Sequence, residues 1–311
     1  MKGIELSKRF YEEFGKPMLE TNFPEVLPVL ATGLVGSGSE CYGFDDEISH
    51  DHDFEPAFCI FAPDDIDEKI LFELERAYAK LPKEFLGFER CRFSAVGERR
   101  HGVIKTGDFY RAKTGSPTGE LSYTQWLSVP EFSLSEAVNG VVFADDYGQF
   151  TKIRENLKYY PEEIRLKKLA GNLLLMGQSG QYNYSRCITR GDTAAAQLSA
   201  YEFVKSTINA VFLLNKTYTP YYKWSFRMLK TLPALSGLAA DLEMLISLDN
   251  ERVNAVKKVK IIDEVCSQLA EEIKAQGILK NAVFEMEAAA YAVNNTIANG
   301  EIRNLHVLAG V

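Results

Sequence analysis

The sequence predicts a protein of the α+β class: an N-terminal mixed β-sheet with flanking helices, followed by a C-terminal all-helical bundle. Before residue 150, short runs rich in β-branched and aromatic residues alternate with turn signals. After it, apolar residues recur every three or four positions over long stretches. Because 311 residues suffice for two domains with separate cores, we predict domains at residues 1–149 and 150–311.

The first predicted element is an amphipathic helix. Gly15 and Pro17 are expected to weaken or end it. Its apolar face is formed by Ile4, Leu6, Phe10 and Phe14. The following run, Ala31 to Val35, favours a buried strand that ends at Gly36.

A second strand is predicted in FEPAFCIFAP, which Pro63 closes. Asp64 is then expected to cap a helix whose apolar residues are spaced by three or four positions. Shorter signals predict strands in FERCRF, HGVIKT and GVVFA, and a loop in GSPTGE.

The C-terminal half is helical by periodicity. Gly277 is a plausible terminator of its last long helix. The clearest apolar stripes are Ile164 to Met176, then Leu198, Tyr201, Val204, Ile208, Val211 and Phe212, and then Val253, Val256, Ile262, Val265, Leu269 and Ile273.

Composition narrows the class of partner. A formal charge of −8 works against binding nucleic acid. The sequence contains no apolar run of about 20 residues, so no membrane span is predicted. The N-terminus lacks the pattern of a secretory signal, which predicts a cytoplasmic location. The five cysteines show no CxxC spacing, which argues against a disulfide framework or a cysteine zinc site.

One stretch carries the strongest chemical signal: GSGSECYGFDDEISHDHDF, residues 36–54. If the second strand begins near His50, Asp51 and Asp53 project from one face with their Cα atoms roughly 7 Å apart. Two carboxylates in that arrangement suit Mg²⁺ together with substrate phosphates. The two histidines of this stretch, His50 and His52, would point to the opposite face.

Gly36 and Ser37 follow the first predicted strand. A glycine there lets backbone amides approach a phosphate closely. A short helix from Ser37 to Cys41 would add oriented N–H donors. The sequence therefore predicts a phosphate cradle facing a metal platform, suited to a nucleoside triphosphate.

This order of strand, Gly-Ser, loop and Asp-x-Asp resembles the polymerase-β-like nucleotidyltransferase superfamily. With the later stretch LLNKTYTPYYKW, Leu213 to Trp224, it further resembles the DUF4037 family. That resemblance implies a C-terminal helical domain similar to that of kanamycin and lincosamide nucleotidyltransferases. It also implies Mg²⁺-dependent transfer of a nucleoside monophosphate, from ATP or another nucleoside triphosphate, to a hydroxyl of a small-molecule acceptor.

The resemblance assigns roles to individual residues. Gly36 and Ser37 would hold the donor phosphates, and Asp51 and Asp53 would be the catalytic carboxylates that ligate Mg²⁺. Lys223 would reach the triphosphate as a point charge; equally, its stem packs on Trp224 or Tyr221 with the charge in water.

The third carboxylate of the superfamily is the main departure. HGVIKT contains no acidic residue, and Glu98 and Asp108 merely flank it. A nucleotide-binding or regulatory module without turnover is therefore the first alternative. A metal-dependent phosphohydrolase using His50 and His52 is a weaker one.

Two further groups of side chains could contact an acceptor. The acidic group could receive a cationic acceptor or form an exposed loop, and the aromatic group could stack a ring but is expected to serve domain packing. The acidic group is Asp45, Asp46 and Glu47; the aromatic group is Tyr218, Tyr221, Tyr222, Trp224 and Phe226.

Overall fold

The computed structural model describes residues 1–48, 54–90 and 100–311. It is an α+β protein with a small mixed sheet and a helical C-terminal region. The chain forms two compact units. Unit 1 contains Met1–Leu121 and Ser133–Lys158, and unit 2 contains Ser122–Phe132 and Tyr159–Val311.

The described helices, in chain order, are α1 Gly3–Phe10, α2 Lys16–Asn22, α3 Glu68–Ala79, α4 Thr106–Thr114, α5 Tyr123–Ser128, α6 Glu131–Val138, α7 Gln149–Asn156, α8 Glu162–Met176, α9 Ser185–Thr189, α10 Thr193–Leu214, α11 Tyr222–Leu229, α12 Leu238–Ser247, α13 Arg252–Ala275, α14 Met286–Asn295 and α15 Gly300–Asn304. The described strands are β1 Ala31–Leu34, β2 Cys59–Ala62, β3 Glu84–Phe85, β4 Phe88–Glu89, β5 Gly102–Lys105 and β6 Val141–Asp145.

The main sheet of unit 1 has the strand order β5-β2-β1-β6. Strand β1 runs antiparallel to both β2 and β6, whereas β2 and β5 are parallel. Strands β3 and β4 form a separate hairpin. Helix α7 packs against β6, so unit 1 continues past the boundary that the sequence placed after residue 149.

The N-terminal helix is longer than predicted. Gly15 and Pro17 do not end it, because a π-helical turn, Tyr11–Gly15, joins α1 to α2. Pro17 lies in the first turn of α2, where a missing backbone N–H is tolerated. This composite helix supplies Leu6, Phe10 and Leu19 to the buried core.

Strand β2 begins later than predicted, at Cys59, and residues 54–58 are not a strand. Pro56 has no N–H to donate to a ladder. The N–H of Phe58 instead donates to the Tyr78 hydroxyl, at 3.1 Å. The expected strand start near His50 is therefore wrong for the described part of that segment.

The helix predicted after Pro63 is present, but its cap is Asp67. The Asp67 carboxylate accepts the N–H of Lys69 at 2.7 Å. Asp64 instead accepts the N–H of Gly107 at 2.7 Å, which ties the end of β2 to the start of α4.

Unit 2 is built around α8, which packs against α10 and α14. Two of the predicted apolar stripes are not buried at their N-terminal ends. The exposed side chains are Leu198 and Tyr201 of α10 and Val253 and Val256 of α13. Helix α10 buries Phe203 instead. Among the described residues, no helix is long and apolar enough to cross a membrane.

Candidate functional site

The ends of four strands meet at one edge of the main sheet. Gly33, near the end of β1, pairs with Cys59 at the start of β2, and Cys59 pairs with Gly102 at the start of β5. Leu34 pairs with Val141 at the start of β6. The loop after β1 and the segments before β2, β5 and β6 therefore enter the same edge, called here the β1 edge.

The loop after β1 turns at two glycines in the left-handed region. Gly36 has φ 103° and Gly38 has φ 125°, values that residues with a Cβ rarely adopt. Asn139, just before β6, accepts the N–H of Gly36 at 2.8 Å and donates to its carbonyl at 2.7 Å. This pair of bonds fixes the start of the loop.

Arg100, two residues before β5, holds the loop from the other side. Its Nε and Nη2 donate to the carbonyl of Ser37, at 3.2 and 3.0 Å. The same guanidinium forms an ion pair with Glu40. A Cβ on Gly38 would overlap this guanidinium and lie 2.7 Å from both carboxylate oxygens of Glu40. The glycine is thus required by both its φ and its surroundings.

The predicted short helix from Ser37 to Cys41 is not formed. The chain makes one 3₁₀ turn, Glu40–Tyr42, which is too short to supply a helix dipole of any size. Within residues 1–48, 54–90 and 100–311, no acceptor bonds the backbone N–H groups of Ser37, Gly38 and Ser39. Successive N–H groups of this kind suit an anion.

The two predicted metal ligands, Asp51 and Asp53, lie outside the described residues. Glu55, two positions after Asp53, accepts a hydrogen bond from Nδ1 of His101 at 3.0 Å. His101 directly precedes β5, so Glu55 is at the β1 edge. In the described part of the chain, no group of three His, Cys, Asp or Glu residues is arranged to hold a metal ion.

Among the described residues, no acid supplies a third carboxylate on β5. Asp108 lies in the first turn of α4, exposed, and pairs with Arg111 at 2.6 Å. Glu98 lies outside the described residues. Asp145, at the end of β6, accepts the N–H groups of Gly148 and Thr151 at 3.0 and 2.7 Å and so caps α7.

Asp45 is a structural residue and not part of an exposed acidic loop. It is 2% exposed, and its Oδ2 accepts the N–H of Gly3 at 2.9 Å, at the start of α1. Lys2 lies 3.6 Å from its Oδ1. Asp46 and Glu47 are exposed.

Two cysteines lie beside the β1 edge. Burial and the neighbouring Glu40 raise the pKa of Cys41 well above its ordinary value. Burial raises the pKa of Cys59 to about 12. Both thiols therefore stay protonated at neutral pH, and neither is an activated nucleophile.

Lys223 belongs to unit 2, whereas Gly36 and Ser37 belong to unit 1. It is exposed in the first turn of α11, with Nζ 4.9 Å from the centroid of the Trp224 ring. The ammonium thus makes a cation–π contact with Trp224, which differs from a stem packed on the ring with its charge in water. Tyr218 of the aromatic group is buried against Tyr159 and Tyr160, within unit 2.

Sequence reasoning missed three residues that shape the loop: Glu40, Arg100 and Asn139. Each is separated in sequence from at least one partner by many residues, and no local pattern marks it. One signal was available, because Arg100 directly precedes the predicted strand HGVIKT.

Comparison with known proteins gives one match. A family model described as "Domain of unknown function (DUF4037)" matches residues 126–225. The comparison with curated proteins found no match, and neither did the comparison with solved structures. The matched range includes LLNKTYTPYYKW and excludes the Gly-Ser and Asp-x-Asp residues. The predicted resemblance to DUF4037 is thus confirmed over residues 126–225.

Proposed function

We propose that this protein is a Mg²⁺-dependent nucleotidyltransferase of the polymerase-β-like superfamily. It would move a nucleoside monophosphate from ATP, or another nucleoside triphosphate, to a hydroxyl of a small-molecule acceptor. The observation that carries the proposal is the β1 edge. There, three backbone N–H groups with no described acceptor lie at the same sheet edge as Glu55, two residues after Asp53.

The loop residues would bind the donor phosphates. The N–H groups of Ser37, Gly38 and Ser39 are donors whose positions are set before the ligand arrives, because Asn139 and Arg100 fix the loop through its backbone. Preorganised donors need little rearrangement when charge develops on the phosphate during transfer. Arg100 forms an ion pair with Glu40, so its role would be to position the loop.

Asp51 and Asp53 would hold the Mg²⁺, which neutralises phosphate charge when bound. The described residues fit a phosphate at the loop, and the chemistry of the two carboxylates fits an oxygen-liganded cation. In such transfers the protein contributes mainly positioning, since the phosphoryl chemistry demands little covalent work. A cytoplasmic location and the absence of nucleic-acid binding belong to the same proposal.

The test is transfer of label from [α-³²P]ATP in the presence of Mg²⁺, with aminosugars, nucleosides and proteins as acceptors. We expect a labelled adduct and pyrophosphate, both lost in Asp51→Asn and Asp53→Asn. Asp108→Asn is the matched control, and it should retain activity because its carboxylate is exposed and paired with Arg111. Absence of product and pyrophosphate with every nucleoside triphosphate and acceptor would contradict the proposal.

A nucleotide-binding module without turnover is the second candidate. It is favoured by one observation, the position of Asp108 on α4 rather than on β5. Titration calorimetry with a nonhydrolysable ATP analogue separates the two. Tight binding that hardly depends on Mg²⁺, with no product formed, would support this candidate against the transferase.

A further inference from the structure

A groove of ≈ 930 Å³ lies wholly within unit 2, and none of the residues assigned above to the phosphates or to Mg²⁺ lines it. Its volume is in the range of sites for small organic ligands. One wall is a face of α10, and another is formed by the segment before α6 and by α11. Apolar and aromatic side chains make up most of its surface.

The α10 wall has two parallel stripes. Val204 and Ile208, four residues apart, form an apolar stripe, and Tyr201, Lys205 and Asn209 form a polar stripe beside it. These positions explain why Tyr201 does not join the core of unit 2, as its place in the predicted stripe suggested. Facing aromatic groups come from Phe132, Tyr222 and Phe226, which the groove also includes.

Polar atoms form the smaller part of the groove surface, and two polar side chains of the groove have no bonding partner among the described residues. Thr219 is 9% exposed, and its hydroxyl has no partner among the described residues. Lys205 is exposed and forms no ion pair with any acid in the described chain. The other lysine, Lys168, already donates to the carbonyl of Gly310 at 2.6 Å and lies 3.7 Å from Glu131.

We propose that this groove binds a small planar molecule with an apolar body and one anionic group. The aromatic side chains and the Val204–Ile208 stripe would cover the body, and Lys205 would pair with the anion. The proposal stands independently of nucleotide transfer, because no residue of the β1 edge takes part.

The test is calorimetric titration of the full chain with naphthalene-2-carboxylate and with the neutral 2-naphthalenemethanol. We expect saturable binding of both, with the carboxylate bound roughly threefold to fivefold more tightly, as for an exposed ion pair. Lys205→Gln should remove that difference and leave binding of the alcohol unchanged. The matched control is Lys257→Gln, an exposed lysine on α13 outside the groove. It should leave both affinities as they are.

A second variant, Phe226→Ala, removes an aromatic wall without changing charge, and it should weaken both probes several-fold. Circular dichroism of each variant establishes that the helices are intact. Failure of both probes to saturate, or equal affinity of wild type and Phe226→Ala, would overturn the proposal. A dimer that dissociates in Phe226→Ala would also overturn it, since the groove would then be a contact between copies.

Discussion

Buried and half-buried cationic side chains form hydrogen bonds to different kinds of segment in the two units. In unit 1, Arg100 bonds the backbone carbonyl of Ser37, in a loop without regular structure. In unit 2, Lys167 is fully buried on α8, and its ammonium donates to Asn294, Arg303 and Leu305. The first cation therefore positions a loop, and the second joins α8 to elements near the C-terminus.

Lys258 repeats the pattern of unit 2. It is fully buried on α13 and donates to Gln197 on α10 at 2.8 Å and to Asn250 at 3.0 Å. Tyr184 donates to the same Asn250 oxygen at 2.8 Å. Burial lowers the pKa of both Lys167 and Lys258. The comparison teaches that substitutions of these lysines should act on folding, whereas substitution of Arg100 should act chiefly on the loop.

The largest effect on stability is expected from Lys167→Met. The change removes the Lys167 donor from the Asn294 amide oxygen and the Leu305 carbonyl, and leaves the Arg303 carbonyl with Asn294 alone. It should lower the free energy of unfolding by about 3 kcal/mol. Urea denaturation followed by circular dichroism measures it. Lys257→Met, at an exposed position, is the control and should change stability by less than about 0.5 kcal/mol. Equal effects at the two positions would remove the structural role of Lys167.

Arg100→Met should have a smaller effect on stability, about 2 kcal/mol, because it removes one charge-assisted bond to Glu40 and the bonds to Ser37. Arg100→Met should also weaken the binding of a nonhydrolysable ATP analogue by more than the loss of stability accounts for, because the N–H donors of the loop lose their fixed positions. Calorimetry at a temperature where the variant is folded measures that affinity. Arg111→Met removes an exposed ion pair of the same unit and should alter neither quantity.

Asp45→Ala should cost about 1 kcal/mol, because it removes the acceptor of the Gly3 N–H at the start of α1. Activity at saturating substrate should be unchanged, since the Asp45 carboxylate is buried against the start of α1. Thermal unfolding and the transfer assay provide the two readouts. Glu47→Ala, at an exposed position, should affect neither. Selective loss of binding of cationic acceptors in Asp45→Ala would contradict this expectation and assign Asp45 to the acceptor site.

Lys223→Met should have the smallest effect on stability, at most about 1 kcal/mol, because only an exposed cation–π contact with Trp224 is removed. If Lys223 acts on the triphosphate, the KM for ATP rises several-fold, and Lys223→Arg restores part of it. Steady-state kinetics of the three proteins measures this. An unchanged KM in Lys223→Met would leave the residue with its packing role alone.

Local patterns predicted the elements better than the contacts between them. Strands β1, β5 and β6 lie where β-branched runs placed them. The errors arose where a distant partner competes. Asp64 accepts the N–H of Gly107 instead of capping the expected helix. Asp45 accepts the N–H of Gly3 and is buried instead of lying in an exposed loop.

The same reason explains the limits of the site prediction. The loop at Gly36 and Ser37 was predicted from local sequence, because a glycine at a strand end carries its own conformational signal. Arg100 was not predicted, because its bond to Ser37 joins residues 63 positions apart. A polar contact between distant segments depends on which strands pair, and the residues around Arg100 or Ser37 carry no signal of that pairing.

The central claim is that the β1 edge holds a nucleoside triphosphate and a divalent cation together. The most direct measurement is a crystal structure with a nonhydrolysable ATP analogue and Mg²⁺. The account predicts phosphate oxygens on the N–H groups of Ser37 to Ser39, and the cation between those oxygens and the carboxylates of Asp51 and Asp53. A triphosphate bound elsewhere, or the two carboxylates on opposite sides of the chain, would contradict it.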